Sequence, residues 1–169
     1  MQNIVLIGMP GSGKSTVGVL LAKRLGMRFL DTDLLLIEQT GVTLPQLLRQ
    51  QGVEGFLTLE GAMGEALHCE HTIIATGGSM VLSTPAMENL CKQAFCVWLD
   101  TPLPFLQARI DQAADRGIAA GPGVTLAQID AVRRPLYEHY QNVRIEGAQG
   151  VEAVVRAVLD TLRERSISF

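Results

Sequence analysis

The chain has 169 residues, 47% of them hydrophobic and 18% charged, with a formal charge of -3. That is the composition of an ordinary globular protein of single-domain size. The charge balance and the lack of any Lys/Arg-rich run exclude an electrostatic footprint for nucleic acid or anionic membrane, and no apolar run approaches the roughly 20 residues of a membrane span. A small molecule is the expected partner, and the expectation is a cytoplasmic protein that works as a monomer.

In chain order, the apolar stretch Asn3 to Ile7 reads as a strand and Lys14 to Leu25 as a helix. Between them GMPGSGKS, Gly8 to Ser15, satisfies G-x-x-x-x-G-K-[ST] in the strand-to-helix setting which that pattern requires. Glycines let successive N–H groups curl around phosphates at a helix N-terminus. Gly11, Ser12, Gly13, Lys14, Ser15 and Thr16 are therefore expected to bind ATP. Lys14 would reach the β and γ oxygens, and the Ser15 hydroxyl would hold Mg2+.

Arg28 to Asp31 reads as the second strand, which places Asp31 and Asp33 of FLDTD at its carboxyl end, where open α/β sheets bind ligands. Two carboxylates there divide the work: Asp31 beside the hydrated Mg2+, Asp33 on the acceptor hydroxyl. Asp31 also suits a helix cap. Helical period covers Asp33 to Gln39 and Thr43 to His68, punctuated by Gly41 and Gly52; about 33–62 is the expected substrate-binding segment.

Thr72 to Thr76 is the third strand, followed by Gly77 and Gly78, where glycine allows a ligand close to the backbone. Thr84 to Cys91 reads as helix, Phe95 to Leu99 as strand with Trp98 in the core, and Pro102 to Ala114 as helix. IAAGPG, Ile118 to Gly123, has no period and reads as a mobile loop within a lid of about 110–124. Thr125 to Tyr140 (helix), Val143 to Ile145 (strand) and Val151 to Glu164 (helix) close the chain. The expected fold is α/β in three layers over residues 1–169: a five-stranded parallel sheet, helices on both faces and a flexible lid.

Three cysteines, Cys69, Cys91 and Cys96, form neither a CxxC pair nor an even set and read as reduced thiols. HCEH at His68 to His71 lacks metal-ligand spacing and reads as a solvated helix end; His139 and Tyr140 read as surface.

The P-loop, DTD, the F-x-x-x-E pentad at Phe56 to Glu60, ATGGS and the Arg-x-Pro-Leu-Tyr run at Arg133 to Tyr137, in this order and spacing, resemble shikimate kinases over nearly the whole chain. The resemblance implies a P-loop kinase fold that uses ATP and Mg2+, with a small hydroxylated carboxylate as acceptor. It places Asp33 on the acceptor hydroxyls, Gly77 and Gly78 in a substrate turn, Arg133 in a carboxylate clamp, Arg109 near adenine and Arg116 on the lid near the phosphates. Lys14, Asp33 and Arg116 are the implied catalytic set.

The family pentad carries an arginine that forks onto the substrate carboxylate; here that position is Leu57. Leucine makes no charge-assisted hydrogen bond, and losing one partner of a buried charged pair costs roughly 2 to 5 kcal/mol. The third substrate glycine is Ser79, and the lid reads Arg116-Gly117-Ile118-Ala119. The expectation is intact ATP chemistry with an altered acceptor, a hydroxy-amino acid such as homoserine rather than shikimate, its ammonium facing Asp33 or Glu60. The alternatives are a shikimate kinase whose clamp is rebuilt by Arg49 or Arg134, and a nucleotide-binding homologue without transfer activity. The DTD pair opposes a nucleoside monophosphate as acceptor, and WLDTP is only a weak match to a motor ATPase.

Overall fold

The structure is a computed structural model that describes residues 2–92, 94–112 and 117–167. Five strands, β1 (Asn3–Ile7), β2 (Arg28–Asp31), β3 (Thr72–Ala75), β4 (Ala94–Asp100) and β5 (Val143–Glu146), form one sheet in the order β2-β3-β1-β4-β5. Every pairing is parallel. Parallel strands need crossover helices, and these bury both sheet faces.

Alternation along the strands divides the core. Ile4, Leu6, Ile73, Val97 and Leu99 face α1 (Lys14–Leu25) and α7 (Val151–Glu164). Val5, Ile7, Ile74, Cys96 and Trp98 face the other way, under α3 (Leu44–Ala66), α4 (Thr84–Cys91), α5 (Leu103–Asp111) and α6 (Leu126–Tyr140). The expected three-layer α/β fold is what the chain adopts. Among the described residues, no helix is long and apolar enough to cross a membrane.

Most predicted elements stand within a residue or two of their expected ends. The long helical segment is interrupted where a glycine was expected to punctuate it: Gly52, at φ 68° and ψ -179°, breaks α3 into two helical pieces at a kink. Glycine adopts that conformation at no steric cost. A short 3-10 turn, Met80–Leu82, follows the glycine pair and was not expected. The three cysteines are free, but Cys91 and Cys96 meet across the α4–β4 connection with Sγ atoms 2.6 Å apart. Trp98 is in the core, 1% exposed.

β1 has its neighbours on opposite sides running to β3 and to β4, so the chain reverses direction in the sheet at β1. A crevice opens outside the carboxyl ends at such a switch point. The glycine-rich loop and the Gly77–Gly78 turn follow the neighbouring strands β1 and β3, and Asp31 ends β2 on the other side of β3.

Candidate active site

The loop after β1 is held open by backbone that only glycine adopts readily. Gly8, Gly11 and Gly13 have φ of 144°, 83° and 93°. A Cβ on Gly8 would stand 2.6 Å from the Leu99 carbonyl. Lys14 is buried at 7% exposure and donates from Nζ to the carbonyls of Gly8 at 2.8 Å and Met9 at 2.9 Å. Ser12 and Gly11 are buried, while Ser15 and Thr16 begin α1 exposed. Gly13 caps α1 without a side-chain bond, which leaves the helix N-terminal amides turned to the crevice.

Asp31 ends β2 and caps α2 (Thr32–Thr40): its Oδ1 accepts from the Asp33 amide at 2.9 Å. The capping role and the crevice position coexist, because Asp31, Asp33, Lys14 and Ser15 line one cavity of about 680 Å³. Two other concavities, of about 400 and 550 Å³, hold none of the expected site residues.

The far wall of the cavity is the turn after β3. Thr32 Oγ1 accepts from the Gly77 amide at 2.8 Å, and the Tyr137 hydroxyl donates to the Gly78 carbonyl at 2.7 Å. Gly78 lies against Pro10 of the phosphate loop, where a Cβ would come 2.7 Å from Pro10 Cγ. Gly77 is faced by two carboxylates: a Cβ there would lie 2.6 Å from Asp33 Oδ1 and closer still to Glu60 Oε1. Thr32 and Tyr137 lie inside the DTD and Arg-x-Pro-Leu-Tyr elements, but the sequence reading gave neither a role.

Glu60, on the second part of α3, is 2% exposed. Ser79 Oγ donates to its Oε2 at 2.6 Å, whereas Oε1 is buried with no hydrogen-bond partner. Burial raises its carboxyl to about 7; the Ser79 bond opposes the rise and Asp33 adds to it, while Arg133 and Lys14 pull the other way.

Arg133 is 3% exposed on α6, lines the cavity and donates from Nη2 to the Ala119 carbonyl at 2.9 Å. Ile118 and Ala119 of the expected lid form part of the same lining. Arg116 lies outside the described residues. Arg109 stands apart from the cavity, behind the phosphate loop, donating to the Gly11 carbonyl at 3.0 Å.

Leu57 is half-buried and packs against the hydrophobic cluster under α3. The cavity lining includes Phe56 and Glu60 without it. Of the two arginines considered as replacements, Arg134 is committed elsewhere, paired to Asp100 and Asp130 at 3.0 Å each. Arg49 is exposed and lines the cavity.

A parallel 2-3-1-4-5 sheet, a glycine-rich phosphate loop at its switch point and an adjoining cavity with acidic and basic walls define a P-loop kinase of small molecules. The shikimate kinase family model matches residues 10–163. A shikimate kinase from Symbiobacterium thermophilum is 38% identical over 97% of this chain and 98% of its own length. A shikimate kinase from Acinetobacter baumannii, solved in complex with shikimate, superposes with a TM-score of 0.90 at 30% identity, covering 99% of this chain and 96% of that one. The enzyme from Aquifex aeolicus follows at 0.78 and 25%, covering 98% of each chain. The chain belongs to the shikimate kinase family. It is accordingly an ATP-dependent phosphotransferase, and ATP and Mg2+ are its cofactors.

Proposed function

We propose that the protein transfers the γ-phosphoryl group of ATP to a hydroxyl of a small carboxylate whose charged end is held by Arg133 and whose hydroxyl is oriented by Asp33. The observation that supports this is one cavity lined by Lys14, Asp33 and Arg133 together. ATP supplies the transferable phosphoryl group, and Mg2+ offsets its charge.

The loop fits polyphosphate: Gly8 has no room for a side chain, and Lys14 has loop carbonyls to leave when phosphate oxygens arrive. Mg2+ in such sites keeps several waters and few protein ligands. That suits a donor set of the Ser15 hydroxyl and Asp31, which line the same cavity. Asp33 takes the acceptor's hydroxyl proton or hydrogen bond, while Gly77 and Gly78 let the acceptor lie against backbone. Arg116 serves the phosphates from the lid, and Arg109 the nucleotide side. In-line positioning and fixed positive charge supply the catalysis, with no covalent enzyme intermediate.

Shikimate is the acceptor best supported, by the family and by Arg49, which offers a second cation at the cavity in place of the arginine replaced by Leu57. The second reading, a hydroxy-amino acid such as homoserine, is favoured by the unpartnered Glu60 oxygen beside Asp33. ADP release from Mg-ATP across shikimate, homoserine and related hydroxy acids distinguishes them. Under the first reading, shikimate turns over and Arg49→Ala raises its KM tenfold or more. Turnover of homoserine alone, with shikimate activity gained by Leu57→Arg, selects the second; no turnover of any acceptor rejects both.

A further inference from the structure

Cys91 and Cys96 bring two thiols together away from the cavity: the Cys96 thiol donates to Cys91 Sγ at 2.6 Å. Cys91 ends α4, Cys96 lies toward the amino end of β4, and neither lines the cavity, which opens at the carboxyl ends of the strands. A core cysteine usually serves as a small apolar filler. Two features set this pair apart.

The first is that each sulfur is carried by a pinned element. The Cys96 amide donates to Asn142 Oδ1 at 2.7 Å, its carbonyl accepts from the Asn142 amide at 2.8 Å, and the residue stands in register with Val5 of β1. The last turn of α4 is tied to the end of α3 by Asn89, whose Nδ2 donates to the carbonyls of Gly64 at 3.0 Å and Leu67 at 2.8 Å. Two fixed frames therefore hold the sulfurs in contact, and little movement separates them from a covalent bond.

The second is asymmetry. Cys96 is 0% exposed, whereas Cys91 is half-buried, so a reagent in solution meets Cys91 first. The hydrogen bond from Cys96 lowers the Cys91 thiol, with burial acting against it, while the same bond and burial raise Cys96. Thiolate is the attacking form, so the accessible sulfur is also the more nucleophilic one. Cys69 has no thiol partner: its sulfur accepts from Asn3 Nδ2 at 3.9 Å, and burial raises it.

We propose that Cys91 and Cys96 form a thiol–disulfide exchange site whose co-reactant is a low-molecular-weight disulfide, with Cys91 as the attacking thiol and Cys96 as the resolving one. The Cys91 thiolate attacks one sulfur of R–S–S–R; that bond breaks, Cys91–S–S–R forms, and the expelled RS⁻ takes up the proton that Cys91 released. Cys96 then attacks Cys91 Sγ, forming the Cys91–Cys96 bond and expelling a second RS⁻, which takes the Cys96 proton. Both cysteine sulfurs are oxidised, the two sulfurs of the co-reactant are reduced to RSH, and excess RSH reverses the sequence. The product staples α4 to β4 and restricts the unfolded chain, which raises stability.

The test uses the whole chain, reduced and then exposed to oxidised glutathione, with intact-mass spectrometry, peptide mapping and thermal melting. The wild type and Cys69→Ser are expected to lose two thiols and the mass of two hydrogen atoms, to retain no glutathione, and to carry a Cys91–Cys96 link that reductant removes. Cys96→Ala is expected to stop at a glutathione adduct on Cys91, formed at least tenfold faster than one on Cys69. Cys91→Ser should leave Cys96 unmodified. The oxidised wild type should melt about 4 °C or more above the reduced protein and return on reduction. Three results overturn the inference: glutathione retained on wild-type Cys91, a link that involves Cys69, or a Cys91–Cys96 link that forms only in urea or lowers the melting temperature. If Cys96→Ala does not fold, the wild type and Cys69→Ser decide by the same criteria.

Discussion

Arg133 and Ala119 join α6 to the segment over the cavity: the guanidinium, 3% exposed, donates from Nη2 to the Ala119 carbonyl at 2.9 Å. One nitrogen of the planar fork is thus fixed by backbone, and the residue lines the cavity.

Arg133→Lys keeps the charge but loses that fork. The expected outcome is an acceptor KM raised by roughly tenfold to several-hundredfold, with KM for ATP within about twofold. Steady-state kinetics with each substrate varied in turn checks this. An equal rise in both would place Arg133 in general stability rather than on the acceptor.

Gly77→Ala puts a methyl group 2.6 Å from Asp33 Oδ1 and closer to Glu60 Oε1. Both carboxylates must move. Loss of acceptor turnover by tenfold or more is expected, with stability lowered by roughly 1 to 3 kcal/mol. Nucleotide affinity, read by titration with Mg-ADP, should stay near that of the wild type.

Burial raises the Glu60 carboxyl from an ordinary 4.5 to about 7. Between those values the folded protein keeps a proton that the unfolded chain has released, so stability falls as pH rises through the window, by up to roughly 3 kcal/mol. Urea unfolding at pH 5 and pH 7.5 should show the decrease for the wild type and a smaller one for Glu60→Gln. Identical pH dependence in the two proteins would remove Glu60 from the explanation.

Asp100 is 9% exposed and pairs with Arg134 and Arg144, whose guanidiniums lie 5.2 and 5.0 Å from the centroid of the Trp98 ring. Asp100→Asn should cost roughly 1 to 3 kcal/mol, given that both arginines are partly exposed. Acceptor KM should not change. A large KM effect would return Arg134 to the substrate site.

Much of this architecture was legible in residue order. Short apolar runs alternating with helical period require a parallel sheet, and the phosphate loop declares itself by glycines whose positive φ the backbone needs. Asp31 and Asp33 follow from ending a strand. The faces of α3 did not, because Gly52 marks where the segment is interrupted but not the angle of the kink, which resets helical phase for everything that follows it. Leu57 was expected at the substrate; it packs on the core, and the informative residue is its neighbour Glu60. Arg133 and Arg134 are adjacent in sequence but about 100° apart around the helix axis. One reaches the cavity and the other Asp100, a choice made by packing that no local pattern records.

The proposed reaction is transfer of phosphoryl from ATP to a hydroxyl held by Asp33 over the phosphate loop. Mass spectrometry of the small-molecule products, after incubating wild type, Lys14→Ala and Asp33→Asn with Mg-ATP and the acceptor panel, tests it most directly. One phosphorylated acceptor is expected from the wild type, formed in step with ADP and slowed by at least a hundredfold in either variant. Full transfer by Asp33→Asn, or ADP formed by the wild type with no phosphorylated acceptor, would contradict it.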